Sequence, residues 1–200
     1  MTPELITFAD LPKAILRPLT IDEVAAIVGA KREKITRQIN TGAVPKSALS
    51  RAVEQERQGA QSLLKPVACP MALFDLTTGH LLSTQMRRRM VREIANIVSG
   101  KSTTWVVEEG TLRIDLSKPI ESAIRKMAAL AQAEAIVVAD PDIRGGMPVL
   151  RGTRIGVYEI ADISKHETEH WLLKNFPSMT VERLQQAMLY AKAHPLHRLK

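Results

Sequence analysis

The sequence predicts an α+β chain that is mostly α. Three observations lead there. Apolar residues recur at helical spacing through much of the 200 residues. Strand-like alternation is confined to short stretches. Ser or Thr stands where helices should begin, and Gly or Pro where they should end. These signals divide the chain into a helix-turn-helix domain (1–61), a small central α+β unit suited to dimerisation (62–116), a connecting helix (117–136) and a compact three-helix module behind a short strand or hairpin (137–200).

The net charge of +7 favours an anionic partner, either nucleic acid or an acidic protein surface. The excess is spread along the chain, so its meaning depends on individual helix faces. Aromatic residues make up only 4%, which leaves the cores to Leu, Ile, Val, Ala and Met. Cys69 is the only cysteine. That excludes an intramolecular disulfide and a cysteine-based zinc site, and suits a reducing cytosol. The N-terminus lacks a signal-peptide pattern and no apolar run approaches membrane-spanning length, so a cytoplasmic chain with no membrane partner is expected.

Residues 1–19 form a lead-in whose Leu5, Ile6, Phe8, Leu11, Ile15 and Leu16 can dock on the first domain. Thr20-Ile21-Asp22-Glu23 then reads as a capping box. Val24, Ala25, Ile27 and Val28 supply the apolar side, and Gly29 stops the helix. A second helix follows over 31–40, with Ile35 and Ile39 inward and Arg32, Lys34, Arg37 and Gln38 outward. Two short helices across a glycine turn have the pattern of a DNA-reading pair.

The run Leu19–Pro45 resembles the helix-turn-helix of the excisionase and MerR-type families. The resemblance implies that residues 31–40 enter the major groove, with Arg32, Lys34, Arg37 and Gln38 as DNA-binding residues. Without it, the pattern is also that of a plain helical hairpin with a solvated basic face.

The polar stretch 47–61 predicts a helix, and 66–74 predicts a strand interrupted at Pro70. A helix is expected from Ser83 or Thr84 through Ser99, with Met86, Met90, Ile94 and Ile97 inward. Its Arg87-Arg88-Arg89 run and Arg92 either track a phosphate backbone or form a solvated face. Residues 105–116 predict a hairpin turning at Glu109-Gly110, with Leu112, Ile114 and Leu116 alternating. Ser117 is expected to cap the alanine-rich helix that carries Pro119 in its first turn.

Beyond 136 the local constraints are strongest. Gly145-Gly146-Met147-Pro148-Val149-Leu150-Arg151-Gly152-Thr153-Arg154-Ile155 reads as turn and short strand, because Pro148 keeps Met147 out of the helical region. Helices are expected over 157–165, from a Thr168 cap to Asn175, and from a Thr180 cap to about His194. The string running from Asp140-Pro141 to Val157, with Phe176-Pro177 and Thr180…Tyr190-Ala191, resembles the antitoxin-like family called domain of unknown function 433. That family usually has a glycine near Lys165–His166. Here none stands there, so either His166 takes the turn conformation or the turn differs.

Joined to an N-terminal helix-turn-helix, this module looks like the longer VapB-type antitoxins. The resemblance implies a non-enzymatic antitoxin that neutralises a PIN-like ribonuclease toxin and represses its own operon. The expected partners are the toxin and operator DNA, in a homodimer or higher hetero-oligomer, with no cofactor. Arg144, Arg151 and Arg154 are the candidate toxin-binding residues, since a metal-holding nuclease site is rich in carboxylates and Arg binds carboxylates bidentately. The alternative is a DNA-binding transcription regulator without a toxin partner. A remote alternative is a zinc hydrolase through His166-Glu167-Thr168-Glu169-His170, which fits the H-E-x-x-H string. Thr168 at a cap would break that string across two helices.

Overall fold

The computed structural model describes residues 16–50 and 63–196. The proposed docking of Leu5, Ile6, Phe8, Leu11 and Ile15 lies outside the described residues, and Leu16, expected to dock with them, is exposed. The fold is α+β and mostly α, and the chain divides into two compact units, residues 1–128 and 129–200. Among the described residues, no helix is long and apolar enough to cross a membrane.

In the first unit, α1 (Ile21–Val28) starts at the capping box. Thr20 Oγ1 accepts from the Glu23 amide, and the Glu23 carboxylate accepts from the Thr20 amide at 2.6 Å. Arg17 grips the same carboxylate with both ends of its guanidinium. Gly29 closes the helix at φ +75°, a left-handed conformation that favours glycine, and α2 (Arg32–Asn40) follows at once. Leu19 and Leu64 exchange backbone hydrogen bonds of 2.8 and 2.7 Å, pinning the start of the helix pair to the chain that follows it.

Two predictions fail here. Residues 46–48 form one 3₁₀ turn and Leu49 bridges to Leu64, so the helix expected from residue 47 does not begin. The remainder of that prediction, 51–61, lies outside the described residues. Residues 66–74 are not a strand, because α3 runs Ala68–Thr77. Pro70 falls in its first turn, where a missing N–H costs no hydrogen bond. Ala68 through Phe74 are all buried, so neither a helical nor a strand-like stripe shows in the sequence.

Cys69 lies on α3 with no exposed surface, and burial together with the nearby Glu23 charge raises its thiol pKa far above the ordinary value. The thiol should therefore resist alkylation in the native protein and react once the chain is unfolded in urea. Equal rates in the two states would contradict this packing.

α4 (Thr84–Val98) is capped by Ser83, whose hydroxyl accepts from Met86 N. It buries Met90, Val91, Ile94 and Ile97. β1 (Val106–Glu109) and β2 (Leu112–Asp115) pair antiparallel, with Val107 opposite Ile114. Ile114 and Leu116 are buried as expected, but Leu112 is exposed at the hairpin end. α5 (Ser117–Ala135) begins differently from expectation. Ser117 is its first residue, and the Asp115 carboxylate accepts from Ser117 N at 2.9 Å and Oγ at 2.6 Å. These bonds hold the Asp115 carboxyl below its usual pKa.

In the second unit, β3 (Val137–Val138) pairs antiparallel with β4 (Val149–Leu150). The helices are α6 (Val157–Ile163), α7 (Glu169–Asn175) and α8 (Val181–Ala193). Thr168 accepts from Trp171 N, and Thr180 from Arg183 N, as their positions predict. Leu150, Val157, Ile160, Leu172, Met179, Leu184 and Ala187 form the core. The α6–α7 turn needs no left-handed residue at 166. His166 N and Glu167 N both donate to Ile163 O, and Arg144 is the only non-glycine with positive φ among the described residues.

Candidate functional site

Two surfaces carry the predicted site residues, one in each unit. On α2, Ile35 points inward and is fully buried, so the opposite face is turned to solvent. Lys34 and Arg37 lie on that face, exposed and without an acidic partner among the described residues. Arg32 is only half-exposed and pairs with Asp22 of α1. Its charge locks the two helices together and is partly neutralised.

Gln38 is a correction. It is 2% exposed, and its Nε2 donates to Ala72 O (3.1 Å) and to Asp75 Oδ2 (2.9 Å) of α3. It packs α2 onto α3 and cannot reach a base edge. The expectation of exposure failed because Gln38 lies three residues beyond Ile35, at the margin of the apolar stripe. A glutamine side chain is long enough to turn inward from there. Asp75 was missed altogether; a lone acidic residue inside an apolar run was the available signal.

In the second unit, the glycine-rich segment forms a tight double turn around β4. Gly145, Gly146 and Gly152 all have positive φ. Arg144 shares that conformation at φ +53°, unusual for a residue with a Cβ, and its side chain is held in place. Its guanidinium pairs bidentately with Glu159 of α6. The pair keeps the Glu159 carboxyl below its ordinary pKa, through the hydrogen bonds first and the charge second. A Cβ at Gly156 would stand 2.8 Å from Arg144 Nη1 and 3.0 Å from the Glu159 carboxylate, so glycine there leaves room for the clamp.

Arg151 is exposed, yet its Nε donates to Ala135 O at 3.2 Å. Its own carbonyl accepts from Arg183 of α8 at 2.6 Å. Arg154 is exposed and its side chain has no partner among the described residues. Of the three arginines, Arg144 is thus tied down, Arg151 half-engaged and Arg154 open.

The apolar surface of helices 157–194, expected from the sequence to supply the hydrophobic part of an interface, is partly open to solvent. Met147, Tyr158, Met188 and Leu196 line an open groove between α6 and α8, flanked by Lys165 and Lys192. Trp171 is 39% exposed and meets Phe176 edge-on, with ring centroids 6.5 Å apart. His166 lies in the α6–α7 turn, whereas His170 lies on α7 beyond the extended Thr168 cap. The two imidazoles therefore do not stand one turn apart on a single helix, as the zinc-hydrolase string requires.

Residues 137–191 match the family described as Protein of unknown function (DUF433). The match covers β3 through the greater part of α8, including all three arginines. An uncharacterized protein of Sinorhizobium fredii, y4eO, is 31% identical over 139 residues, which is 64% of this chain. The alignment spans 63% of that relative's length. No solved structure matches the chain.

Proposed function

We propose that the chain is the antitoxin of a type II toxin–antitoxin system. Its α1–α2 pair binds operator DNA and represses its own operon. Its DUF433 module binds and neutralises a PIN-like ribonuclease toxin. The observation that carries the reading is the pairing of two differently built basic surfaces. Lys34 and Arg37 project from a short helix held by a glycine turn, as major-groove readers do. Arg154 projects from the matched module, which also carries exposed apolar side chains at Met147 and Met188.

A nuclease that holds metal with clustered carboxylates presents a strongly anionic site. A guanidinium delivered there binds carboxylates bidentately and displaces metal or excludes RNA. Arg154 is the open cation for this, with Arg151 beside it. Arg144 supports them: its clamp to Glu159, with an Nη1 contact to Arg154 O at 3.5 Å, sets the shape of the presenting loop. Trp171 and the Met147–Met188 groove supply the apolar part of an interface, where aromatic and arginine anchors carry most of the energy.

Co-expression with the product of the neighbouring reading frame tests this. Growth rescue and a complex that survives purification are expected. A frame whose product neither arrests growth nor binds the chain would leave a transcription regulator without a toxin partner, which the α2 face alone supports.

A further inference from the structure

We propose that Arg88 and Arg92 of α4 form a second phosphate-contact point for duplex DNA, beside the chain leaving α2. This rests on the DNA-binding reading above and assigns a role within it to a second element. The arginine-rich helix is not a uniform basic face. Arg87 Nε donates to Gly79 O at 2.9 Å and lies 3.5 Å from the Asp75 carboxylate. Arg89 pairs with Glu109. Both charges are spent inside the unit. Arg88 and Arg92 stand four residues apart on one helix face, exposed and without an acidic partner among the described residues.

Arg88 and Arg92 line one concavity of about 300 Å³ together with Gly42, Pro45 and Ser47, over a floor that includes Met71 and Val91. Gly42 to Ser47 is the segment that directly follows α2. Arg88 also lines a smaller hollow with Thr41 and Ala43. Two uncompensated cations sharing a hollow with a hydroxyl suit an anion.

α4 is also tied to α2. Gln38 of α2 donates to Ala72 O and Asp75 of α3, and Asp75 faces Arg87 of α4. Those two hydrogen bonds and the ion pair tie the helix that carries Arg88 and Arg92 to the helix that carries Lys34 and Arg37. A helix in the major groove is flanked by phosphate backbone on both sides, so a cation pair on a helix tied to it, beside its end, meets phosphates whatever the base sequence.

The test uses the full chain and two duplexes of equal length, one from immediately upstream of its own coding sequence and one with that sequence shuffled. Affinity is measured by fluorescence anisotropy across a salt series. Arg88→Ala with Arg92→Ala should weaken both duplexes by the same factor. The slope of log K against log salt should become shallower by about 0.9 for each phosphate no longer neutralised. Arg88→Lys with Arg92→Lys should restore the slope, and Arg89→Ala should leave it unchanged. Thermal melting should match wild type, since both side chains are exposed.

An unchanged slope in the alanine pair, alongside a shallower one in Lys34→Ala with Arg37→Ala, overturns the proposal and leaves the DNA reading standing. The proposal is also overturned if the alanine pair instead loses binding to a co-purified acidic protein. Absence of wild-type binding to either duplex overturns the DNA reading itself.

Discussion

Alanine at both Lys34 and Arg37 is expected to abolish operator binding at physiological salt while leaving the protein folded. Neither side chain has a partner among the described residues, so their removal strands no buried charge and opens no cavity. Surface changes of this kind usually alter stability by less than about 0.5 kcal/mol. Their positive charges are therefore free to meet phosphates or base edges. Each phosphate no longer neutralised should make the salt slope shallower by about 0.9, and each base-edge hydrogen-bond pair removed should cost about 1–3 kcal/mol of discrimination. Mobility shift and anisotropy separate the two effects. Arg32→Ala should behave differently, because its guanidinium holds Asp22: some stability goes with it. DNA affinity that survives Lys34→Ala with Arg37→Ala, with unchanged salt dependence, would remove α2 from the interface.

Ile35→Ala is the counterpart inside the same helix. The side chain is fully buried against the first unit's core, where Val24, Ile27 and Phe74 are also closed to solvent. Truncation removes its transfer energy and leaves a hole that the rigid helix pair fills poorly, at a cost of about 2–5 kcal/mol. That is a large fraction of the stability of an ordinary domain. The urea midpoint should fall with little change in the m value. DNA binding should fall in parallel with the folded fraction, unlike the Lys34/Arg37 pair, where binding is lost and folding kept. A loss below about 1 kcal/mol would mean that α2 does not pack through Ile35.

Much of this was legible in the sequence where a residue's chemistry is local. The Thr20–Glu23 box, the Ser83, Thr168 and Thr180 caps and the Gly29 turn each act within four residues, and each forms as read. The reading failed where a residue's partner is far away in the chain. Gln38 looks like an outward polar residue until α3 brings Ala72 and Asp75 to it. The apolar run around Pro70 carries no period because every side of that helix is covered. The Arg87–Arg92 cluster looks uniform, yet Asp75 and Glu109 claim two of its members and leave two open. The candidate toxin-binding arginines show the same limit. Their spacing says nothing of the Glu159 clamp, which occupies Arg144 and leaves Arg154 as the open charge.

The central claim is a division of labour between α2 and the 137–191 module. Its most direct test measures one quantity, affinity for the toxin, on two variants whose DNA binding is also known. Lys34→Ala with Arg37→Ala should keep wild-type affinity for the toxin and its growth rescue while failing to hold the operator. Arg151→Ala with Arg154→Ala should bind the operator normally and lose the toxin. Toxin affinity that falls with the α2 pair, while DNA binding persists, would contradict the account.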